Sequence, residues 1–317
     1  MSSVDDFLPL RAVLLQSTFI ELALNGLYGG LFFVTVYALM FKQGTYHRIN
    51  WGLFLALTAM YLLSTIHVIN EATHIKGAFV DHGDSPASTL EYILQPPLFH
   101  TLLGAIALTT NTLISDCVLI WRCWTIWNHD WRIVVLPLAS TLVGTALGFR
   151  SIAEQAAYVL NPNLDPNAYI DFATPYFGLN LATTAVATLL IIARIIKMTE
   201  KSTRQTRGYW RIIEMVVESA AIYLVALIVF LPLQVQGAFN SAYPQVVVAQ
   251  MVGMAPTLLV ARVAFGLARP DRTWQGESAP IAFRGYGGSA SEQPSTIVLS
   301  SRSRSDFSAT KPDGIHV

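Results

Sequence analysis

Seven apolar stretches run through this chain, at residues 19–41, 51–68, 101–126, 131–149, 175–196, 212–236 and 246–268. A helix needs roughly 20 apolar residues to cross a hydrocarbon core. Lipid offers the backbone no hydrogen-bond partners, so each stretch has to satisfy its own N–H and C=O groups and is expected as a helix. The fold class that follows is all-α: an integral membrane bundle of seven transmembrane helices. Composition agrees, with 53% hydrophobic and only 13% charged residues. Soluble chains carry about 25% charged residues, enough to cover a water-facing surface.

Charge predicts the orientation. Of the 20 Lys and Arg, only Arg11, Lys76 and Arg150 fall on the side of the first residue. Lys42, Arg48, Arg122, Arg132, the run from Arg194 to Arg211 and the seven from Arg262 to Lys311 fall on the other. Cationic loops stay in the cytosol, so the N-terminus is expected outside and the C-terminus inside. Trp51, Trp121, Trp124, Trp127, Trp131 and Trp210 flank the basic ends, while Tyr92, Tyr158, Tyr169, Tyr176 and Tyr243 mark the opposite ends. These are interfacial belts and need no ligand role. Residues 1–17 lack a basic region before a short apolar core, so no cleavable signal peptide is expected, and the first span inserts the chain.

The chain divides into an extracellular N-terminal segment (1–18), a transmembrane domain (19–268) and a disordered cytosolic tail (269–317) rich in Ser and Arg. In the tail, Ser300, Ser301, Ser303 and Ser305 interleave with Arg302 and Arg304, where phosphorylation would reverse the local charge. The outer connection 71–100 is acidic, with Gly and Pro, and reads as irregular. The cytosolic loop 197–210 is basic and suits anionic lipid or an acidic partner, or only sets topology. Cys117 and Cys123 share one span and cannot form a disulfide with each other.

Ionisable groups inside a membrane are costly and are candidates for function. Asp116, Arg122, Arg194, Glu214, Glu218 and Arg262 all fall in the cytosolic half. They are expected to form an ionic network between spans three, five, six and seven, with Arg122, Arg194 and Arg262 as partners of Asp116 and Glu218. Such a network either locks one conformation or simply holds the bundle. In the outer half, Asn25, His67, Asn70, Asn180 and Gln250 are candidates for lining an outward-facing cavity. The alternative for such residues is interhelical hydrogen bonding. His67, Glu71, His74 and His100 are weak candidates for a metal site, because no HExxH spacing occurs and the last three spans hold no His. No metal, cofactor or catalytic residue is assigned on this basis.

Several classes are excluded. The last span has no Lys for a retinal Schiff base. No phosphate-binding, dinucleotide or nucleophile-elbow motif opens a helix, and nothing supports nucleic-acid binding beyond topology-setting charge. Matched helix breaks in two halves, which would point to a transporter, are not visible.

The plan of seven spans resembles G-protein-coupled receptor topology. Span three closes on Asp116-Cys-Val-Leu-Ile-Trp-Arg122 rather than Asp-Arg-Tyr, and span seven carries Met254-Ala-Pro256 rather than Asn-Pro-x-x-Tyr. A closer resemblance is to an uncharacterised seven-transmembrane family of mushroom-forming (basidiomycete) fungi. It rests on Phe32-Phe-Val-Thr-Val-Tyr37 and on the segment from Asp116 to Trp127, and covers roughly 19–268. This resemblance implies the fold and a membrane location and carries no activity. The expectation is a receptor-like multi-pass protein, in the plasma membrane rather than an internal one, that takes an unknown small ligand from outside and contacts membrane lipid and a cytosolic signalling partner. A small transporter or channel is the alternative, followed by a metal-dependent membrane enzyme.

Overall fold

The computed structural model describes residues 8–42, 51–161, 170–200 and 206–265. Side chains at the edges of these stretches, including 206–216, are outside that description. Eight α-helices are described. They are α1 (Leu8–Tyr37), α2 (Trp51–Lys76), the short α3 (Pro86–Leu94), α4 (Leu98–Ile126), α5 (Trp131–Leu160), α6 (Ala173–Glu200), α7 (Thr206–Val235) and α8 (Ala242–Ala264). π-helical turns extend α1 through Ala38–Lys42 and α2 through Gly77–Asp81. No strand occurs among the described residues.

Seven of these helices, all but α3, are long and apolar enough to cross a membrane. Their burial pattern is that of a protein solvated by lipid. Large apolar side chains such as Phe19, Leu27, Phe33, Leu55, Leu136, Leu142 and Leu189 stand exposed on the bundle surface. Polar ones, including Glu21, Asn70, Asn111, Asp116, Asn180 and Gln250, are buried inside. An apolar surface this extensive would drive aggregation in water. The chain is a multi-pass membrane protein.

The spanning helices form a closed ring in which α1 packs on α2, α2 on α4, and so on through α5, α6 and α7 to α8, which returns to α1. Helix α4 also touches α6 and α8 and so occupies the middle. Three apolar clusters hold the ring. Tyr28, Phe32, Leu39, Leu57 and Val260 join α1, α2 and α8. Ile120, Cys123, Val134, Ile191 and Ile195 join α4, α5 and α6. Tyr176, Phe177, Tyr223, Leu227, Phe230, Val248 and Val252 join α6, α7 and α8. An odd number of crossings places the start of α1 and the end of α8 on opposite faces, called here the amino-terminal and carboxy-terminal sides.

The helices overrun the apolar stretches, chiefly on the amino-terminal side. Helix α1 begins at Leu8 rather than Phe19, α2 continues past Val68 to Lys76, and α5 continues past Phe149 to Leu160. The connection 71–100, expected to be irregular, is mostly ordered. Its first residues complete α2, and α3 follows. Local chemistry explains α3: Ser85 accepts from the Ser88 backbone N–H, the Ser88 hydroxyl accepts from the Ser85 N–H, and Pro86 sits in the first turn. The basic loop is likewise shorter than 197–210, since α6 runs to Glu200 and α7 starts at Thr206. The tail 269–317 lies outside the described residues.

On the carboxy-terminal side α4 ends in a tight turn. Asn128 and His129 adopt left-handed backbone angles (φ 57° and 66°), and Asp130 then caps α5 by accepting from the Arg132 N–H at 3.1 Å.

Candidate functional site

A cavity of about 320 Å³ opens between α2, α4, α5, α6, α7 and α8 on the amino-terminal side. Helical spacing builds its first wall. His67, Glu71 and His74 follow one another at intervals of four and three residues, so they project from one face of α2. All three line the cavity, together with His100 and Thr101 at the start of α4. Ser151 and Gln155 face them from α5, and Gln234 from α7. Tyr176, Phe177 and Phe230 form the apolar wall, where the cavity meets the core cluster of α6, α7 and α8; Tyr176, expected as an interfacial ring, is instead buried in the bundle.

Two glycines let the walls approach. A Cβ at Gly104 would lie 3.0 Å from Asn70 Nδ2 and 3.4 Å from Glu71 Oε1, so the missing side chain eases the approach of α4 to α2. A Cβ at Gly148 would meet Thr109 Cγ2 at 3.0 Å and the Tyr176 ring at 3.2 Å.

A relay of hydrogen bonds fixes the α2 wall from behind. Asn25 Nδ2 donates to Gln250 Oε1 at 3.3 Å, and Gln250 Nε2 donates to Glu21 Oε1 at 3.0 Å. His67 Nδ1 donates to that same oxygen at 2.8 Å. Glu21 is 1% exposed and Gln250 is fully buried. The relay ties α1, α2 and α8 together and orients the His67 ring. Beside it, Asn70 Nδ2 donates to the His100 carbonyl at 2.9 Å, and His100 Nδ1 donates to Asn70 Oδ1 at 2.9 Å. The His74 ring lies between Tyr92 of α3 (5.4 Å between centroids) and His100 (5.6 Å), which docks α3 at the rim.

The expected lining changes accordingly. His67 lines the cavity, but Asn25, Asn70 and Gln250 sit behind its wall with their amides engaged. Asn180 lies deeper, where its Oδ1 accepts from the Tyr223 hydroxyl at 3.0 Å. Each amide has at least one partner on its own or a neighbouring helix, although the Asn180 amide nitrogen is buried without one. Glu21, another outer-half candidate for the lining, also sits behind the wall, because α1 starts at Leu8 and carries it well inside the helix. Gln155 and Gln234 were missed. Each lies one or two turns beyond an apolar stretch or at its end, where polar residues read as loop. The four metal candidates His67, Glu71, His74 and His100 all line the cavity. Among the described residues, however, no group of three or more His, Cys, Asp or Glu is placed to hold a metal ion.

The cytosolic-half ionic network is not present as expected. Asp116 Oδ2 accepts from Thr141 Oγ1 of α5 at 3.5 Å and has no cationic partner among the described residues. Six residues on, Arg122 is rotated about 240° around α4 and cannot share that face. It lines a separate small cavity between α4, α6, α7 and α8, with its Nε buried and unpaired. Arg194 Nε donates to the Ile126 carbonyl at 3.3 Å and its guanidinium lies 5.2 Å from the centre of the Trp127 ring, so it caps the end of α4. Arg262 does pair with Glu218, Nη1 to Oε2 at 2.6 Å, between α8 and α7. The side chain of Glu214 lies outside the described residues.

No protein-family model, curated protein or solved structure matches this chain.

Proposed function

We propose that the protein is receptor-like, with the cavity between α2, α4, α5, α6, α7 and α8 as the seat of a small ligand. One observation carries this reading: polar and aromatic side chains from six helices converge on one cavity of about 320 Å³, open to the amino-terminal side and held in shape by buried hydrogen bonds behind it. Volumes of roughly 300–1,000 Å³ with a few oriented polar groups are typical of small-molecule sites. The positive-inside pattern puts this mouth outside the cell and the basic ends of α6 and α7 in the cytosol, where they and the tail contact a signalling partner. The plasma membrane is the location that suits such a ligand.

Matched helix breaks in two halves, a mark of many carriers, are not visible in the sequence, which favours this reading over transport.

The test has two arms. Tags placed at residue 1 and after residue 317 are stained in intact cells, and the reading expects only the first to be accessible. Native mass spectrometry of the purified chain then looks for a co-purifying small molecule that is lost when Phe230→Trp fills the cavity. Surface staining of the C-terminal tag overturns the orientation. Identical bound mass in wild type and Phe230→Trp overturns the site.

A further inference from the structure

Among the described residues the cavity lining includes no Lys, Arg or Asp; its titratable groups are the histidines His67, His74 and His100 and one carboxyl, Glu71. His67, one turn before Glu71 on α2, is paired with Glu21 at 2.8 Å. No hydrogen bond or ion pair to Glu71 occurs among the described residues, and Gly104 leaves its Oε1 room at the α4 wall. A carboxylate in a membrane-embedded cavity without a hydrogen-bonded protein partner is costly. Its natural complement is a cation from outside the protein.

The opposite wall suits the same charge. The Tyr176 and Phe177 rings lie 4.9 Å apart, and Phe177 and Phe230 meet edge to face at 4.9 Å. Aromatic faces attract organic cations most strongly when water is excluded. A bare metal ion does not fit, because the described residues offer no ligand group of three. A soft cation with an apolar body fits both walls. His74 Nε2, buried and without a partner, supplies one further polar contact at the cavity.

We infer that the cavity selects a small organic monocation, a protonated amine or a quaternary ammonium, with Glu71 as its counter-ion and Tyr176, Phe177 and Phe230 as its apolar seat. This rests on the reading of the cavity as a ligand site.

The experiment uses the full chain in lipid nanodiscs and three matched sets of small aromatic probes. These are amines (2-phenylethylamine and its N,N,N-trimethyl form), the neutral alcohol 2-phenylethanol, and the carboxylate phenylacetate. Saturation-transfer NMR reports binding. The expected result is binding of the amines over the alcohol and carboxylate, with at least a tenfold loss in Glu71→Gln. A second measurement needs no variant. A hydrophobic carbodiimide is expected to modify Glu71 in the wild-type chain, and the amines, not phenylacetate, are expected to protect it, as read by peptide mass spectrometry. Equal binding of alcohol or carboxylate, or amine binding that neither depends on Glu71 nor protects it, overturns the cation assignment and leaves the cavity as a ligand site. No binding of any probe to the wild type overturns both.

Discussion

Arg262 of α8 and Glu218 of α7 form an ion pair of 2.6 Å at the carboxy-terminal side of the bundle. The Glu218 side chain is 59% exposed, so screening leaves the pair little weight in stability. Its place matters more, because it clips together two helices whose other ends carry Phe230, Gln234 and Gln245 of the cavity wall. A clip between two helices at one end and a ligand at the other is the arrangement of a two-state element.

Glu218→Gln is therefore expected to leave thermal stability unchanged within error. It is expected to broaden the distribution of distances between spin labels on the carboxy-terminal ends of α7 and α8. Double electron–electron resonance measures this directly. An unchanged distribution would mean that the pair only decorates the bundle.

Close approach of α1 and α8 rests on Gly253. A Cβ there would sit 2.6 Å from Tyr28 Oη and 2.7 Å from Cε1, and Tyr28 is fully buried. Gly253→Ala should cost about 1–3 kcal/mol through overpacking. Tyr28→Phe should cost about 0.5–1.5 kcal/mol for its weak 3.4 Å bond with Thr257 Oγ1, and should not rescue Gly253→Ala, because the ring carbon clashes too. Melting of the two single variants and the double in one detergent checks both statements.

Deep in the bundle Asn180 accepts from the Tyr223 hydroxyl at 3.0 Å, joining α6 and α7. Both residues are buried. Asn180→Leu strands that hydroxyl and should cost about 1–3 kcal/mol. Tyr223→Phe removes the donor instead and should cost about 0.6 kcal/mol, the average for interhelical bonds in membranes. The order of the two losses is the checkable result, read from denaturation in mixed micelles. Equal losses would place the hydrogen bond elsewhere.

The spans were readable because a run of apolar residues is the one pattern lipid imposes on a helix. Their amino-terminal extensions were not. Hydropathy falls across His67–His74 in α2 and Arg150–Gln155 in α5, yet both helices continue, because many of these polar side chains turn towards a shared cavity. Hydropathy cannot distinguish such a segment from a loop. The capping signal of α3 was written in Ser85, Pro86 and Ser88 but lacks the Glu or Gln that usually betrays it.

The grouping of His67, Glu71 and His74 was visible in their spacing alone. Which way each helix turns about its own axis was not, because these helices are apolar nearly all round and have no strong face to orient them. That is why Asn25, Asn70 and Gln250 fall behind the cavity wall and Asn180 below it. The same uncertainty turned Asp116 towards Thr141 of α5 rather than towards Arg122.

That last orientation makes a prediction opposite to the one an ion pair would make. Asp116 is 7% exposed, its only hydrogen bond is the long one from Thr141, and no cation faces it among the described residues. Asp116→Asn keeps the shape and hydrogen-bonding capacity while removing a group that is expensive to keep charged in a membrane. The substitution is expected to be neutral or to stabilise the bundle by up to about 2 kcal/mol. Breaking a buried ion pair would instead cost about 3–5 kcal/mol. Thr141→Val, by contrast, removes the only hydrogen-bond donor to the carboxyl and should destabilise by about 1–2 kcal/mol in the wild type and by less in the Asp116→Asn background. A double-mutant cycle on thermal unfolding measures all three terms. A loss of 3 kcal/mol or more in Asp116→Asn would restore the ion-pair account and put Arg122 or Arg194 back beside it.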